Sequence, residues 1–261
     1  MRRLPTSVLV ACLLATSAAA TGWTASSGHL EGYVPAVAHV DGRFGSFWTS
    51  DLWIYHQGAT VVHLWLNPPG QDNTDGESVV VPLDQPVVFI PDVVQSLFGT
   101  TGSGSLHYVA DGPVTVNSRT WTPGSEGGSY GLTLPGEPVG AASFAGSGQA
   151  GTLRVLVNQR PGSRANFGVV NVSPVPVTVV VEIFTADGEP APGDSSFSLA
   201  LEPFAMTQVN DVLKRLTPGV RDGLIIRAGV TSSEGAILSY LTDVDNVTND
   251  ASYQAGFRYA N

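Results

Sequence analysis

Thr49-Ser50-Asp51-Leu52-Trp53-Ile54-Tyr55-His56-Gln57-Gly58-Ala59-Thr60-Val61-Val62-His63-Leu64-Trp65-Leu66 contains two alternating apolar runs separated by Gln57-Gly58. Alternation with a period of two is the pattern of a strand with one dry face. A Gly-containing turn between two such runs predicts a hairpin. The pattern returns at Arg164-Ala165-Asn166-Phe167-Gly168-Val169-Val170-Asn171-Val172-Ser173-Pro174-Val175-Pro176-Val177-Thr178-Val179-Val180-Val181-Glu182-Ile183, with a slightly longer turn. The chain therefore reads as an internal duplication.

The flanking segments repeat in the same order. Around the first copy, Val34 to Val40 reads as a strand ended by the turn Asp41-Gly42-Arg43-Phe44-Gly45, and Ser78 to Leu83 and Pro86 to Ile90 read as further strands. Asp92-Val93-Val94-Gln95-Ser96-Leu97-Phe98-Gly99 departs from this pattern. Val93, Val94 and Leu97 fall on one helical face, Asp92 can cap the start and Gly99 the end. Asn210 to Leu216, stopped by Pro218-Gly219, predicts the matching short helix. Two strands close each unit: Leu106 to Val109 with Val114 to Trp121, and Leu224 to Ala228 with Ala236 to Thr242. Phe197, Leu199 and Leu201 alternate with small or polar residues, again one dry face.

About seven short strands per unit, frequent Gly and Pro turns and little helix predict an all-β fold of two tandem immunoglobulin-like or jelly-roll-like β-sandwich domains, each with one short helix. The expected boundaries are a signal peptide over 1–20, a linker over 21–33, a first domain over 34–136 and a second over 137–261, with Glu137 to Gly151 joining the two.

Of the 261 residues, 43% are hydrophobic and 13% charged. That composition supports a packed core and excludes wholesale disorder. Arg2-Arg3, the apolar run Val8 to Ala15 and the small residues Ala18-Ala19-Ala20 form the three parts of a secretory signal peptide, with cleavage expected near Ala20. The run is shorter than the roughly 20 residues that span a bilayer, so no membrane span is expected. Cys12, the one cysteine, lies inside that signal, so the mature chain is expected to carry neither disulfide nor thiolate metal site. Leu9-Val10-Ala11-Cys12 resembles a bacterial lipobox. The short stretch before it and the apolar residues after it argue against a lipid anchor at Cys12. Loss of Arg2 and Arg3 takes the formal charge from −10 to −12. With Lys214 the single lysine, nucleic acid is not expected as a partner.

Ser50-Asp51-Leu52-Trp53-Ile54-Tyr55, the Asp92 to Gly99 segment and Val244-Asp245-Asn246-Val247-Thr248-Asn249-Asp250 together resemble a group of uncharacterised secreted bacterial proteins built from tandem β-sandwich domains. The resemblance spans nearly the whole mature chain. It implies a fold and an extracellular setting, and no activity. His56-Gln57-Gly58 stands where that group usually has Asn-Pro-Gly.

Candidate chemistry is sparse. Gly146-Ser147-Gly148-Gln149-Ala150-Gly151 matches the dinucleotide fingerprint as a string, but a strand rather than a helix is expected after it. His29, His39, His56, His63 and His107 share no metal spacing; His56 and His63 approach one another only if the hairpin forms, and two imidazoles make a poor zinc site. A hydrolase nucleophile elbow finds no support. Asp243, Asp245 and Asp250 offer carboxylates for a possible calcium ion in a folded loop, and the loop of Asp72, Asn73, Asp75 and Glu77 is a weaker candidate. The alternative for both is an ordinary Asx-rich turn.

Tryptophan is the informative residue. Overlaying the copies pairs Leu52 with Phe167, Ile54 with Val169, Leu64 with Val181 and Leu66 with Ile183, all apolar. Trp48 pairs with Ser163, Trp53 with Gly168, Trp65 with Glu182, and Trp121 with Thr242 or Asp243. Positions that accept Ser, Gly or Glu in the sister unit are not central core, so these four rings are expected on an outer face, a rim or the seam between units, as candidate ligand-binding residues. The first reading is a secreted or cell-surface, non-catalytic module that binds a protein partner or belongs to an envelope assembly. The second is a carbohydrate-binding module using the tryptophans. The third is a secreted hydrolase with a carboxylate pair drawn from separate strands.

Overall fold

The computed structural model describes residues 28–258 apart from 125–126, 149–150, 158 and 221–222. The expected signal peptide with Cys12, and residues 21–27 of the expected linker, lie outside the described residues. The chain is mostly strand, in curled antiparallel sheets. No helix among the described residues is long and apolar enough to cross a membrane.

In the N-terminal half, β1 (His29–Asp41), β2 (Phe47–His56), β3 (Val61–Asn67), β4 (Val79–Pro82), β5 (Val87–Ile90), β6 (Gly102–Pro123), β7 (Ser129–Pro135) and β8 (Glu137–Pro138) form one sheet. Its path is β4-β3-β6-β1-β2-β5, with β2 and β7 also paired to the far end of β6 and β8 paired to β1. The sheet folds over because β6 belongs to both of its layers. Residues 105–110 of β6 pair with β3, and residues 114–121 pair with β2.

The expected hairpin does not form. β2 pairs with β1, β5 and β6, while β3 pairs with β4 and β6, so the two runs lie in opposite layers and Gln57-Gly58 is a corner between them. Leu52 and Ile54 on β2 meet Val62 and Leu64 on β3 in one buried core. Each run thus buries its dry face against the other across the core instead of pairing edge to edge. His56 and His63 are parted by the same arrangement.

Two other boundaries differ from expectation. β1 starts at His29 rather than Val34, since Glu31 and Tyr33 already pair with Val109 and His107, which draws residues 29–33 of the expected linker into the sheet. The two strands expected near Asp111 are the single strand β6. The Asp111 carboxylate accepts hydrogen bonds from the backbone amides of Thr60 and Val61 and from the Thr60 hydroxyl, pinning the bend without interrupting it. Gly112 suits that bend, because a Cβ there would lie 3.1 Å from the Ala59 Cα.

In the C-terminal half, β9 (Ser143–Phe144) leads to β10 (Leu153–Val157), β11 (Ser163–Asn171), β12 (Val177–Phe184), β13 (Ser196–Leu201), β14 (Met206–Val209), β15 (Leu224–Val230), β16 (Ala236–Asp245) and β17 (Ala251–Ala255). One sheet runs β10-β15-β12-β13 and the other β14-β11-β16-β17, with β9 on β16. Neighbour order in the two halves agrees along these paths: β1-β6-β3-β4 answers to β10-β15-β12-β13, and β5-β2-β6-β7 to β14-β11-β16-β17, while the β1–β2 ladder joins the N-terminal layers into one sheet and β10 and β11 stay in separate sheets. Residue pairing follows, with Leu52 opposite Ile90 and Phe167 opposite Val209.

The helical segments differ slightly. Val93–Phe98 is an α-helix, α1, after Asp92, which is left-handed with φ 44° and accepts the Gln95 amide; Gly99 caps its end. Val212–Arg215 is only a 3-10 turn after Asp211, φ 53°, which makes no side-chain cap and pairs with Lys214 at 2.8 Å. In both halves that left-handed aspartate's amide is held by a side chain on the preceding long strand, Asp51 at 2.9 Å or Asn166 at 3.0 Å.

Each half has its own buried cluster, and a third lies between them: Tyr33, Ala142, Val170, Val172, Met206, Ala236, Leu238 and Tyr240. Burying a residue such as Leu52 or Phe167 contributes about 1.5–3 kcal/mol.

Candidate functional site

The four tryptophans occupy three places. Trp53 and Trp121 share the outer face of β2 and β6. Trp53 alternates with the buried Leu52 and Ile54, and its ring lies 4.9 Å from that of Phe89 on β5. Trp121 Nε1 donates to Asp51 Oδ2 at 2.8 Å, while Asp51 Oδ1 takes the Asp92 amide and Asp92 Oδ2 lies 2.7 Å from His39 Nδ1. This chain of contacts ties the rim of the sheet to the start of α1.

Trp48 has the parity of Ser50 and Leu52 and sits at the end of β2 against the Gly42 turn. Trp65 belongs to the other layer. It stacks between His63 at 5.9 Å and His107 at 5.0 Å, and His107 stacks in turn on Tyr33 at 4.4 Å and on Phe204 of the C-terminal half at 6.1 Å. Trp65 is therefore half-buried in an aromatic row that reaches the seam.

The seam joins unlike faces. The N-terminal half contributes the outer face of β1, β6 and β3, with Tyr33 and His107; the C-terminal half contributes that of β11, β14 and β16, with Val170, Met206, Leu238 and Tyr240. The Asn73 amide donates to the Pro203 carbonyl across it at 3.1 Å. Burial holds the His107 imidazole below its ordinary range, against the opposing pull of Glu31, whose Oε1 lies 3.0 Å away. Glu137 is pushed up by burial and meets the Tyr253 hydroxyl.

What the seam covers in one half lies open in the other. Tyr55 is 42% exposed, Val87 50% and Phe89 51%, and with Trp53 they form an apolar patch that ends on edge strand β5. The sequence reading picked out Trp53 alone. The signal for the others was the same alternation, which puts Tyr55 beside Trp53 and Val87 beside Phe89.

Asp245 and Asp72 make turn structure. Asp245 Oδ1 accepts the amides of Val247 and Thr248, both at 2.8 Å, which lowers its pKa and closes the β16–β17 hairpin. Asp243 projects from β16, and Asp250 returns its carbonyl to the Asp245 amide. Among the described residues no three His, Cys, Asp or Glu side chains come together as a metal site. Asp72 accepts from the Thr74 amide and hydroxyl, again a local turn.

One string escaped the sequence reading. Gly127-Gly128-Ser129-Tyr130-Gly131 matches Gly-x-Ser-x-Gly, but Ser129 opens β7 in a hairpin with β6, no helix follows, and its Oγ accepts from Arg119. A nucleophile elbow needs a strand-to-helix turn. Of the glycine-rich string at 146–151, Gln149 and Ala150 lie outside the described residues, and strand β10 follows at Leu153.

A groove of about 590 Å³ opens on the outer face of β12 and β15, lined by Val180, Glu182, Arg227, Gly229 and Val230 and roofed by Ser147. Arg227 forks onto Glu182 Oε2 at 2.8 and 3.2 Å and lies over the Phe184 ring.

No family model and no curated protein matches this chain. Among solved structures it is similar to the crystal structure of Thermotoga maritima 1070, with 12% identity over 41% of this chain and 93% of that one, at a TM-score of 0.32.

Proposed function

We propose that the chain is a secreted or cell-surface, non-catalytic module of two tandem immunoglobulin-like or jelly-roll-like sandwiches that binds a protein partner or is seated in an envelope assembly. The observation that carries this reading is the open apolar patch of Trp53, Tyr55, Val87 and Phe89. Large exposed apolar side chains on an edge strand expose a sheet to unwanted pairing unless something covers them. Aromatic residues grouped in this way are what protein hot spots use. The secreted setting rests on the signal-like N-terminus and the resemblance to secreted tandem-sandwich proteins.

A carbohydrate-binding role is the second reading, favoured by Trp53 and Trp121 lying on one outer face. It ranks lower because Trp48 and Trp65 are elsewhere, which leaves a small stacking platform. The test is site-specific photo-crosslinking from position 89 in the producing cell, with a glycan array run in parallel. A discrete protein adduct that disappears with Trp53→Ser is the expected result. Glycan binding that depends on Trp53, with no protein adduct, would transfer the site to the second reading.

A further inference from the structure

Inside the chain two β units meet through different faces, and such a contact leaves one face of each kind unused. The unused face of the N-terminal half is the outer side of β5, β2 and β6, which corresponds strand for strand to the β14-β11-β16 face buried in the seam. The unused face of the C-terminal half is the outer side of β10, β15, β12 and β13, which corresponds to the β1-β6-β3-β4 face that the N-terminal half uses.

We propose that the first of these faces docks on the second in another copy of this chain, repeating the internal seam between molecules. The inference rests on the reading of the chain as a tandem interaction module and names its partner. In the seam, Phe204 stacks on His107, which lies between Tyr33 and Trp65. The ladders place Arg227 at the position of His107, since Arg227 lies between Arg154 and Glu182 as His107 lies between Tyr33 and Trp65. The Arg227 guanidinium already lies over the Phe184 ring and pairs with Glu182, and an aromatic ring arriving on the same row extends that cation–π stack. The groove beside Arg227 supplies the recess; two residues before Val87, where the matching strand has Phe204 before Met206, stands Gln85, so the projecting rings are instead Trp53 and Phe89 on the same face. An aromatic anchor that fills a pocket is the pattern of energetically dominant interface residues. Leu156, 45% exposed on β10, extends the apolar part of the receiving face. Because the two faces differ, the contact is head-to-tail and leaves both ends of a dimer able to add further copies.

The experiment is sedimentation velocity on the full chain across a hundredfold concentration range, with two surface variants. Phe89→Asp blocks the projecting face. Val180→Arg fills the groove, with Arg227→Ala as a second probe of the same face. Wild type is expected to gain mass reversibly beyond a dimer. Phe89→Asp and Val180→Arg alone are expected to stay monomeric at unchanged melting temperature, and an equal mixture of the two to form a dimer that grows no further. Three results overturn the proposal: a wild-type monomer at every concentration, self-association by Val180→Arg alone, which would mean two β2-β5-β6 faces meeting symmetrically, or a mixture that does not associate. A monomeric wild type whose position 89 still crosslinks to a different protein removes self-docking and leaves the partner reading standing.

Discussion

β2 and β11 occupy the same place in the two halves and are buried differently. On β2, buried Ser50, Leu52 and Ile54 alternate with half-exposed or exposed Asp51, Trp53 and Tyr55. On β11 every residue from Arg164 to Asn171 is buried. The inward residues are alike, so the difference is on the far side. There Gly168 stands where β2 has Trp53, and any side chain at that point would run into the Tyr240 ring, whose hydroxyl donates to Gln208. A small residue on β11 lets a large one on β16 lie flat and carry the N-terminal half; a large residue on β2 leaves its face projecting. One pattern of strands thus gives a support and a free surface, according to which strand holds the aromatic.

The strongest break in that comparison is between inside and outside on the N-terminal half. Leu64 is fully buried, and Leu64→Ala is expected to destabilise by about 2–5 kcal/mol. Trp53→Ala is expected to change stability by no more than about 0.5 kcal/mol. Urea unfolding monitored by circular dichroism checks both, and equal losses would mean that the Trp53 ring is packed as core. Trp65→Ala is expected to fall between them, because its ring is stacked on two imidazoles.

A paired test compares the two outer faces directly. Met206 pairs with Val170 on β11, and Val87 pairs with Tyr55 at the matching place on β2. Met206 is buried in the seam, so Met206→Ala is expected to cost about 2 kcal/mol or more. Val87→Ala at the open face should remain within about 0.5 kcal/mol. A similar loss at both positions would show that the N-terminal face is covered in the free protein.

The smallest expected effect is on pH. Burial lowers the His107 pKa in the folded chain, so the unfolded chain takes up the proton first. The stability tied to this residue is present above the ordinary histidine value of about 6.5 and declines as pH falls below it. Melting temperatures from pH 8 to pH 5 should show that decline, and His107→Gln should flatten it. The groups facing His107 are Glu31, Tyr33, Trp65 and Phe204, and among them only Glu31 opposes the shift.

These contrasts also show how far the sequence could be read. Alternation identified the inward residues, Leu52, Ile54, Leu64, Phe167 and Val181, because the two-residue period is local. The matching order of strands and the short helical turn after Asp92 were legible for the same reason, as repeated local patterns; the left-handed backbone of Asp92 and Asp211 was not. Pairing was not. Gln57-Gly58 suits a hairpin as well as a corner, and the choice is made by β6, some fifty residues later, which supplies neighbours for β2 and β3 in different layers. The seam was half-legible: the pairing of Trp53 with Gly168 marked a difference between the copies, but only Tyr240, distant in sequence, explains why glycine is needed.

β6 runs unbroken through both layers of the N-terminal half, whereas the C-terminal half divides the same path into β15 and β16, joined by residues 231–235. Consequently the peptide bond after Ser232 can be cut, or new chain ends placed there, without removing a ladder hydrogen bond, whereas a break at Asp111-Gly112 cuts the strand that pairs with both layers and leaves the β1–β2 ladder to join them. The C-terminal half has a natural opening for permutation and for proteases, and the N-terminal half at the same corner is a continuous tie.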